Sequence, residues 1–210
     1  MLAPTHESQL SFTLSQKLRL HEGECPFVVR GPVAEAIGLT HYAGGRDATY
    51  VYVSRRLAHF DTPGAASPTI DFAPDVAGTA IIYDVTAGAL QGKARPFVCD
   101  LDKRFVRIYA IMPYQIEGIR ARHEPRDDGF ELQVEFVDAM QERIAAVLPF
   151  ALELSSSDPE KRKQKGYRAT SESGTYQETF RHERPEEPAL LKLVVRSLLA
   201  PWEMKLSIKF

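Results

Sequence analysis

The stretch Phe130-Glu-Leu-Gln-Val-Glu-Phe136 decides the fold class. Every second residue is apolar and the residues between are polar. That is the two-residue period of a half-buried strand, with one face entering a core and the other meeting water. The closing segment repeats it: Trp202, Met204, Leu206, Ile208 and Phe210 alternate with Glu203, Lys205, Ser207 and Lys209. Phe150, Leu152 and Leu154 alternate with Ala151 and Glu153 in the same way. Residues 49–54, 79–85 and 104–112 are more evenly apolar and rich in Val, Ile, Tyr and Phe. They read as central strands covered on both faces.

Turn chemistry separates these runs. Gly44-Gly45-Arg46-Asp47 precedes Tyr50, Thr62-Pro63-Gly64 and Ala73-Pro74-Asp75 break the next stretch, and Gly88 and Gly92 bracket a short connection. Asp128-Gly129 enters the Phe130 strand, and Asp158-Pro159 opens a polar stretch running to Gly166. Short strands with such turns every ten residues or so predict a sandwich or barrel. Helix formers concentrate at Asp138 to Leu148, which is expected as a loop or short helix leading into a strand near Ile144. Residues 189–199 fit a buried helix by length, but Val194 and Val195 favour a strand. The charged stretch Arg120 to Asp128 separates a strand ending at Tyr114 from the one starting at Phe130. The predicted fold is therefore all-β: two consecutive antiparallel β-sandwich modules, 1–118 and 119–210, with one short helix allowed near 138–148.

Composition bounds the function. The 210 residues suffice for two modest domains, and 44% hydrophobic with 26% charged residues is ordinary for a folded chain. A formal charge of -2 supplies no overall basic field for nucleic acid or an anionic membrane. No apolar run approaches the ~20 residues of a bilayer span. The start, Met-Leu-Ala-Pro-Thr-His-Glu, lacks a basic region followed by an apolar one. It is expected in a cytoplasmic protein or in a piece of a longer secreted chain. Cys25 and Cys99 lie far apart and outside any Cys-x-x-Cys pair, which predicts two buried free thiols. The sequence has no asparagine, hence no Asn-linked glycosylation site.

No motif specifies a reaction. Gly88-Ala-Leu-Gln-Gly92-Lys93-Ala94 has glycines one residue too close for a phosphate loop and no hydroxyl after Lys93. The histidines, His6, His21, His41, His59, His123 and His182, show no metal-ligand spacing along a helix. Gly64 to Ser67 lacks a nucleophile elbow, and Cys99 sits in an apolar run where a thiol is inert. Asp100 and Asp102, at alternate positions, are candidate oxygen ligands for a calcium ion; otherwise no metal or cofactor is expected. Lys161, Arg162, Lys163 and Lys165 form a basic segment without interleaved aromatics, an exposed loop in character. Tyr42, Tyr50, Tyr52, Phe60 and Phe72 cluster in the first module and are the candidate carbohydrate-contacting residues. No catalytic residue is assigned.

Two stretches resemble known modules. Tyr50-Val-Tyr-Val53, Ile82-Tyr83-Asp84-Val85 with Gly88, and Phe105-Val-Arg-Ile-Tyr-Ala-Ile-Met-Pro113-Tyr114 resemble the C-terminal β-sandwich accessory region of bacterial glycoside hydrolases. Pro149-Phe-Ala-Leu-Glu-Leu154, Asp158-Pro159, Gly174 and the strand at Trp202 resemble the immunoglobulin-like or macroglobulin-like domains of large bacterial surface and secreted proteins. Glu160 departs from the second pattern, where a turn glycine is usual, and Trp202 lacks a preceding glycine. The resemblance implies a non-catalytic accessory module that contacts polysaccharide or packs on a catalytic domain. The catalytic carboxylates of such proteins lie upstream, and none maps onto this chain. Two other readings stay open: a small hydrolase with a site between the modules, using His59 and Asp61 or Asp84, and a cell-surface adhesion or scaffolding protein.

Overall fold

A computed structural model describes residues 13–30, 33–56, 65, 67–101, 105–156, 164–181 and 190–209. The chain divides into two compact units, one of Leu18–Gln115 and one of Met1–Lys17 with Ile116–Phe210. The change of unit falls between Gln115 and Ile116, and the segment through Lys17 groups with the later unit. The architecture is nearly all β, as the alternation predicts.

In the Leu18–Gln115 unit the strands are β1 (Arg19–Leu20), β2 (Phe27–Val29), β3 (Ile37–Ala43), β4 (Thr49–Arg55), β5 (Thr69–Phe72), β6 (Ile81–Asp84), β7 (Ala89–Lys93), β8 (Phe97–Val98) and β9 (Val106–Met112). One short 3-10 turn, Ala34–Ala36, precedes β3. The strands form a six-stranded sheet in the order β1-β3-β4-β9-β6-β7 and a three-stranded sheet in the order β2-β5-β8. Every pairing is antiparallel. Alternate residues of the large sheet, Val51, Val53, Tyr109, Ile111 and Ile82, meet Phe27, Ile70 and Phe72 of the small one in a single core. Phe27 and Phe97 contact Tyr109 with ring centroids 5.6 and 5.1 Å apart, which joins the two sheets face to face. The glycine pair at 88 and 92 belongs to a β6–β7 hairpin, not to a bare connection. Both residues have positive φ, and a bulge falls between Ile82 and Tyr83.

The later unit contains β10 (Gly118–Arg126), β11 (Gly129–Val137), β12 (Pro149–Ser156), β13 (Gln164–Ala169), β14 (Thr175–Arg181), β15 (Leu190–Ser197) and β16 (Glu203–Lys209). They form the sheets β10-β11-β14 and β13-β12-β15-β16. Phe130, Leu132, Val134 and Phe136 are all buried, on the face the sequence assigned to the core. Phe150 of the second sheet lies 6.1 Å from Phe136 and 5.1 Å from Tyr176 of the first, so this unit too is a two-sheet sandwich. The charged stretch Arg120 to Asp128 is a strand for most of its length, ending in a hairpin at Asp127-Asp128. Gly129 follows, where the Phe180 carbonyl oxygen would sit 1.9 Å from an added Cβ. Pro125 is tolerated because β10 is an edge strand and needs no ladder hydrogen on its outer side.

Residues 138–148 form no helix. Asp138 closes a tight turn: its Oδ1 accepts the Met140 and Glu142 amides, both at 2.9 Å, and Gln141 takes a φ of 63°. Ile144, Ala146, Val147 and Leu148 are then buried. Local hydrogen bonding by an aspartate and burial of the apolar residues override helix propensity here.

Candidate functional site

A cleft with convergent polar groups lies within the Leu18–Gln115 unit, where three connections meet. The first is the β3–β4 turn, closed by the Gly44 amide donating to the Ala48 carbonyl at 2.9 Å. Gly44 is required there, because an added Cβ would stand 2.6 Å from the Tyr50 ring. The second is the turn after β5, in which the Val76 and Ala77 amides both donate to the Ala73 carbonyl at 3.0 Å. The third is the exit of β9 at Met112-Pro113. Thr49 and Ile111 are register partners at the adjoining ends of β4 and β9. Arg46, Asp47, Ala48, Thr49, Asp75, Val76, Thr79, Ala80, Ile111, Met112 and Pro113 enclose about 330 Å³.

The polar groups of the cleft have defined states. Asp47 is 4% exposed and Arg46 76%. Arg46 Nε donates to Asp47 Oδ1 at 2.9 Å and Nη2 to Oδ2 at 3.2 Å. This two-pronged pairing occupies both carboxylate oxygens with a permanent cation and fixes the orientation of the Arg46 guanidinium. Thr79 Oγ1 donates to the Val76 carbonyl at 3.0 Å, which keeps its lone pairs as acceptors. Asp75 is exposed at the rim. Val76, Ile111, Met112 and Pro113 supply the apolar wall.

The described candidate aromatic residues, Tyr42, Tyr50, Tyr52 and Phe72, do not line this cleft. Tyr50 and Phe72 are buried in the protein interior, 0% and 4% exposed, and offer no ring face to a ligand. Phe72 packs edge-on against Phe27 with centroids 5.2 Å apart. Tyr42 and Tyr52 are half-buried and meet edge-on with centroids 5.1 Å apart. Burial, with the neighbouring Tyr42, pushes the Tyr52 phenol up to about 12. Strand alternation sets the pair on the face of β3 and β4 opposite Thr49 and Val51. Phe60, His59 and Asp61 lie outside the described residues.

Asp84 is committed to structure. Its Oδ1 accepts the Ala87 amide at 2.8 Å and its Oδ2 the Arg107 Nη1 at 3.3 Å, while Arg107 Nε donates to the Asp100 carbonyl at 2.9 Å. This network ties the β6–β7 turn to β9 and to the segment before it. The candidate calcium ligand Asp100 faces Arg107 at 3.9 Å, and Asp102 lies outside the described residues. Among the described residues no three His, Cys, Asp or Glu side chains converge as a metal site. Both cysteines are free thiols, with Cys99 buried and Cys25 only half-buried. Burial pushes the Cys99 thiol up to about 11, and the Tyr109 hydroxyl donates to its sulfur at 3.4 Å. His21 and His41 lie with ring centroids 5.2 Å apart.

Arg46, Asp47 and Asp75 were legible in the sequence only as turn chemistry, and Thr79 only as the start of a strand. The signal was that two turns rich in Gly, Pro and Asp each carry a charged residue next to a strand end, where loops place binding groups.

No family model matches the sequence. No curated protein matches it significantly. Weak structural neighbours are glycoside hydrolases. The β-glucuronidase of Ruminococcus gnavus matches over 79% of this chain and 36% of its own, at 9% identity and a TM-score of 0.23. The β-D-glucuronidase of Dictyoglomus thermophilum matches over 92% and 43%, at 10% identity and a TM-score of 0.26. The Endo-D glycoside hydrolase domain of Streptococcus pneumoniae matches over 92% and 36%, at 11% identity and a TM-score of 0.22. The chain spans about two-fifths of the length of these structures, and likeness at this level carries no argument about activity.

Proposed function

We propose that this chain is a non-catalytic carbohydrate-binding accessory module and that the Arg46–Asp47 cleft is its saccharide site. The observation that carries the reading is the pairing, in one small cleft, of oriented hydrogen-bonding groups with an apolar wall. A saccharide presents hydroxyls at its edges and C–H surface on its faces. Asp75 and Thr79 supply acceptors, the Arg46 guanidinium, held in place by the buried Asp47, supplies donors, and Val76, Ile111, Met112 and Pro113 supply the surface for the C–H face. The volume is at the small end of ligand pockets, which suits a short stretch of sugar. A binding role is favoured over hydrolysis because glycoside hydrolysis uses two carboxyl groups facing the sugar, whereas both oxygens of Asp47 are engaged by Arg46 and, among the described residues, Asp75 is the one other carboxyl group lining the cleft.

The experiment is a glycan array followed by calorimetric titration of the best oligosaccharide, with Asp75→Asn and Thr79→Val as surface variants and Asp47→Asn as the central one. Binding weakened by each variant, with unchanged thermal midpoints for the two surface variants, supports the proposal. Glycan binding that none of them alters removes the cleft from it, and hydrolysis of any bound glycan replaces it.

A further inference from the structure

The outer face of the β10-β11-β14 sheet carries a second cluster of charge, within the later unit. Glu135, in the middle strand, has a side chain 7% exposed. Three guanidinium groups converge on it. Arg120, its register partner on β10, reaches Oε2 at 3.1 Å. Arg122, two residues along the same strand, stands 3.9 Å from that oxygen. Arg143, brought in by its bridge to Val137, reaches Oε1 at 3.5 Å and donates to Thr175 Oγ1 at 3.1 Å. Gln133 Nε2 donates to the same Oε1 at 3.3 Å.

One guanidinium suffices to neutralise a buried carboxylate. Three against one leave an excess of two positive charges in one place, on side chains that are 44%, 63% and 46% exposed. The next carboxylate on this face of β11 is Glu131, four residues away, or about 13 Å along the strand. It is already engaged by Arg126 and by Gln177. Glu124, on the same face of β10, is engaged by Arg126, so the excess at Glu135 stands, and Glu135 holds the three cations oriented before any ligand arrives. Planar guanidinium groups so held match the paired oxygens of a carboxylate, sulfate or phosphate.

We infer that Arg120, Arg122 and Arg143, organised by Glu135, form a binding site for an oxyanion. The site is separate from the cleft of the other unit, so the two readings stand or fall independently. Glu135 sets its affinity by cancelling part of the charge.

The test uses the intact chain, titrated with sodium sulfate, sodium phosphate and sodium glucuronate against sodium chloride at matched ionic strength, and followed by amide chemical shifts. The three titrants distinguish a sulfate, phosphate or carboxylate source. Saturable shifts at residues 120, 122, 133 and 143 are expected with at least one of them. Arg122→Gln, an exposed change, should weaken binding about fivefold, the effect of losing one solvent-facing charge-assisted contact. Glu135→Gln should tighten binding, because it removes the competing carboxylate. Arg126→Gln, two rows away, should leave binding unchanged. If Glu135→Gln fails to fold, Arg143→Gln replaces it as a second weakening variant. No saturable binding of any of the three anions, or binding that Arg122→Gln and Arg143→Gln leave intact, overturns the proposal.

Discussion

Replacing Thr170 by valine should destabilise the later unit by several kcal/mol, on the order of two lost buried hydrogen bonds. Thr170 is fully buried. Its Oγ1 donates to the Ala146 carbonyl at 2.6 Å and accepts the Leu148 amide at 2.7 Å, while its own amide donates to the Leu148 carbonyl at 3.1 Å. One hydroxyl therefore satisfies two backbone groups in the buried segment that leads from β11 to β12. Valine keeps the shape and removes both bonds. Each buried backbone group left without a partner costs about 1–3 kcal/mol, so the pair costs about 2–6 kcal/mol. For a unit of this size that corresponds to a fall of roughly 10 °C or more in Tm. Trp202 is the sole tryptophan and lies in the same unit, its Nε1 donating to the Ile116 carbonyl at 2.9 Å. Its fluorescence during urea unfolding reports this unit directly. Thr170→Ser, which keeps the hydroxyl and loses a methyl, should cost only about 1 kcal/mol. Equal midpoints for wild type and Thr170→Val would refute the view that this hydroxyl holds the connection in place.

Three further outcomes are expected. Gly174→Ala should destabilise the same unit by about 2 kcal/mol or more, because Gly174 has a φ of +83° and an added Cβ would stand 1.9 Å from the Ile144 carbonyl oxygen; urea midpoints check this. At pH 8 a disulfide reagent should label Cys25 in the native protein and Cys99 only after unfolding, because burial holds the Cys99 thiol protonated. Burial, and secondarily the neighbouring His21, lower the His41 pKa below its ordinary 6.5. The unfolded chain thus binds more protons, and the contribution of His41 is full above pH 6.5 and lost as pH falls below it. Melts at pH 7.5 and 5.5 should show a smaller loss for His41→Gln than for wild type.

Where burial follows strand alternation, the sequence was a good guide. Phe130 to Phe136 forms β11 with its apolar residues inside, and Leu190–Ser197 is a strand, as its valines suggest. β10 was hidden because, beyond the buried Ile119, the residues that alternate with its arginines and glutamates, Ala121, His123 and Pro125, are too weakly apolar to reveal the period. Of the loop or short helix expected near 138–148 the chain forms the loop, because a turn held by one aspartate outweighs the modest propensities of Ala, Met and Glu. Aromatic clustering could not separate core from surface: Tyr50 and Tyr52 are two residues apart, yet one is fully buried and the other half-exposed. The polar residues of the cleft come from two turns distant in sequence, Arg46-Asp47 and Asp75 to Thr79, and only the fold places them together.

The central claim, that the Arg46–Asp47 cleft is a saccharide site, is tested most directly by amide chemical-shift mapping with an oligosaccharide selected on a glycan array. A saccharide seated in the cleft gives saturable shifts concentrated at residues 46–49, 75–79 and 111–112, abolished by Asp75→Asn combined with Thr79→Val. Saturable shifts centred elsewhere, with these residues unmoved, would contradict it.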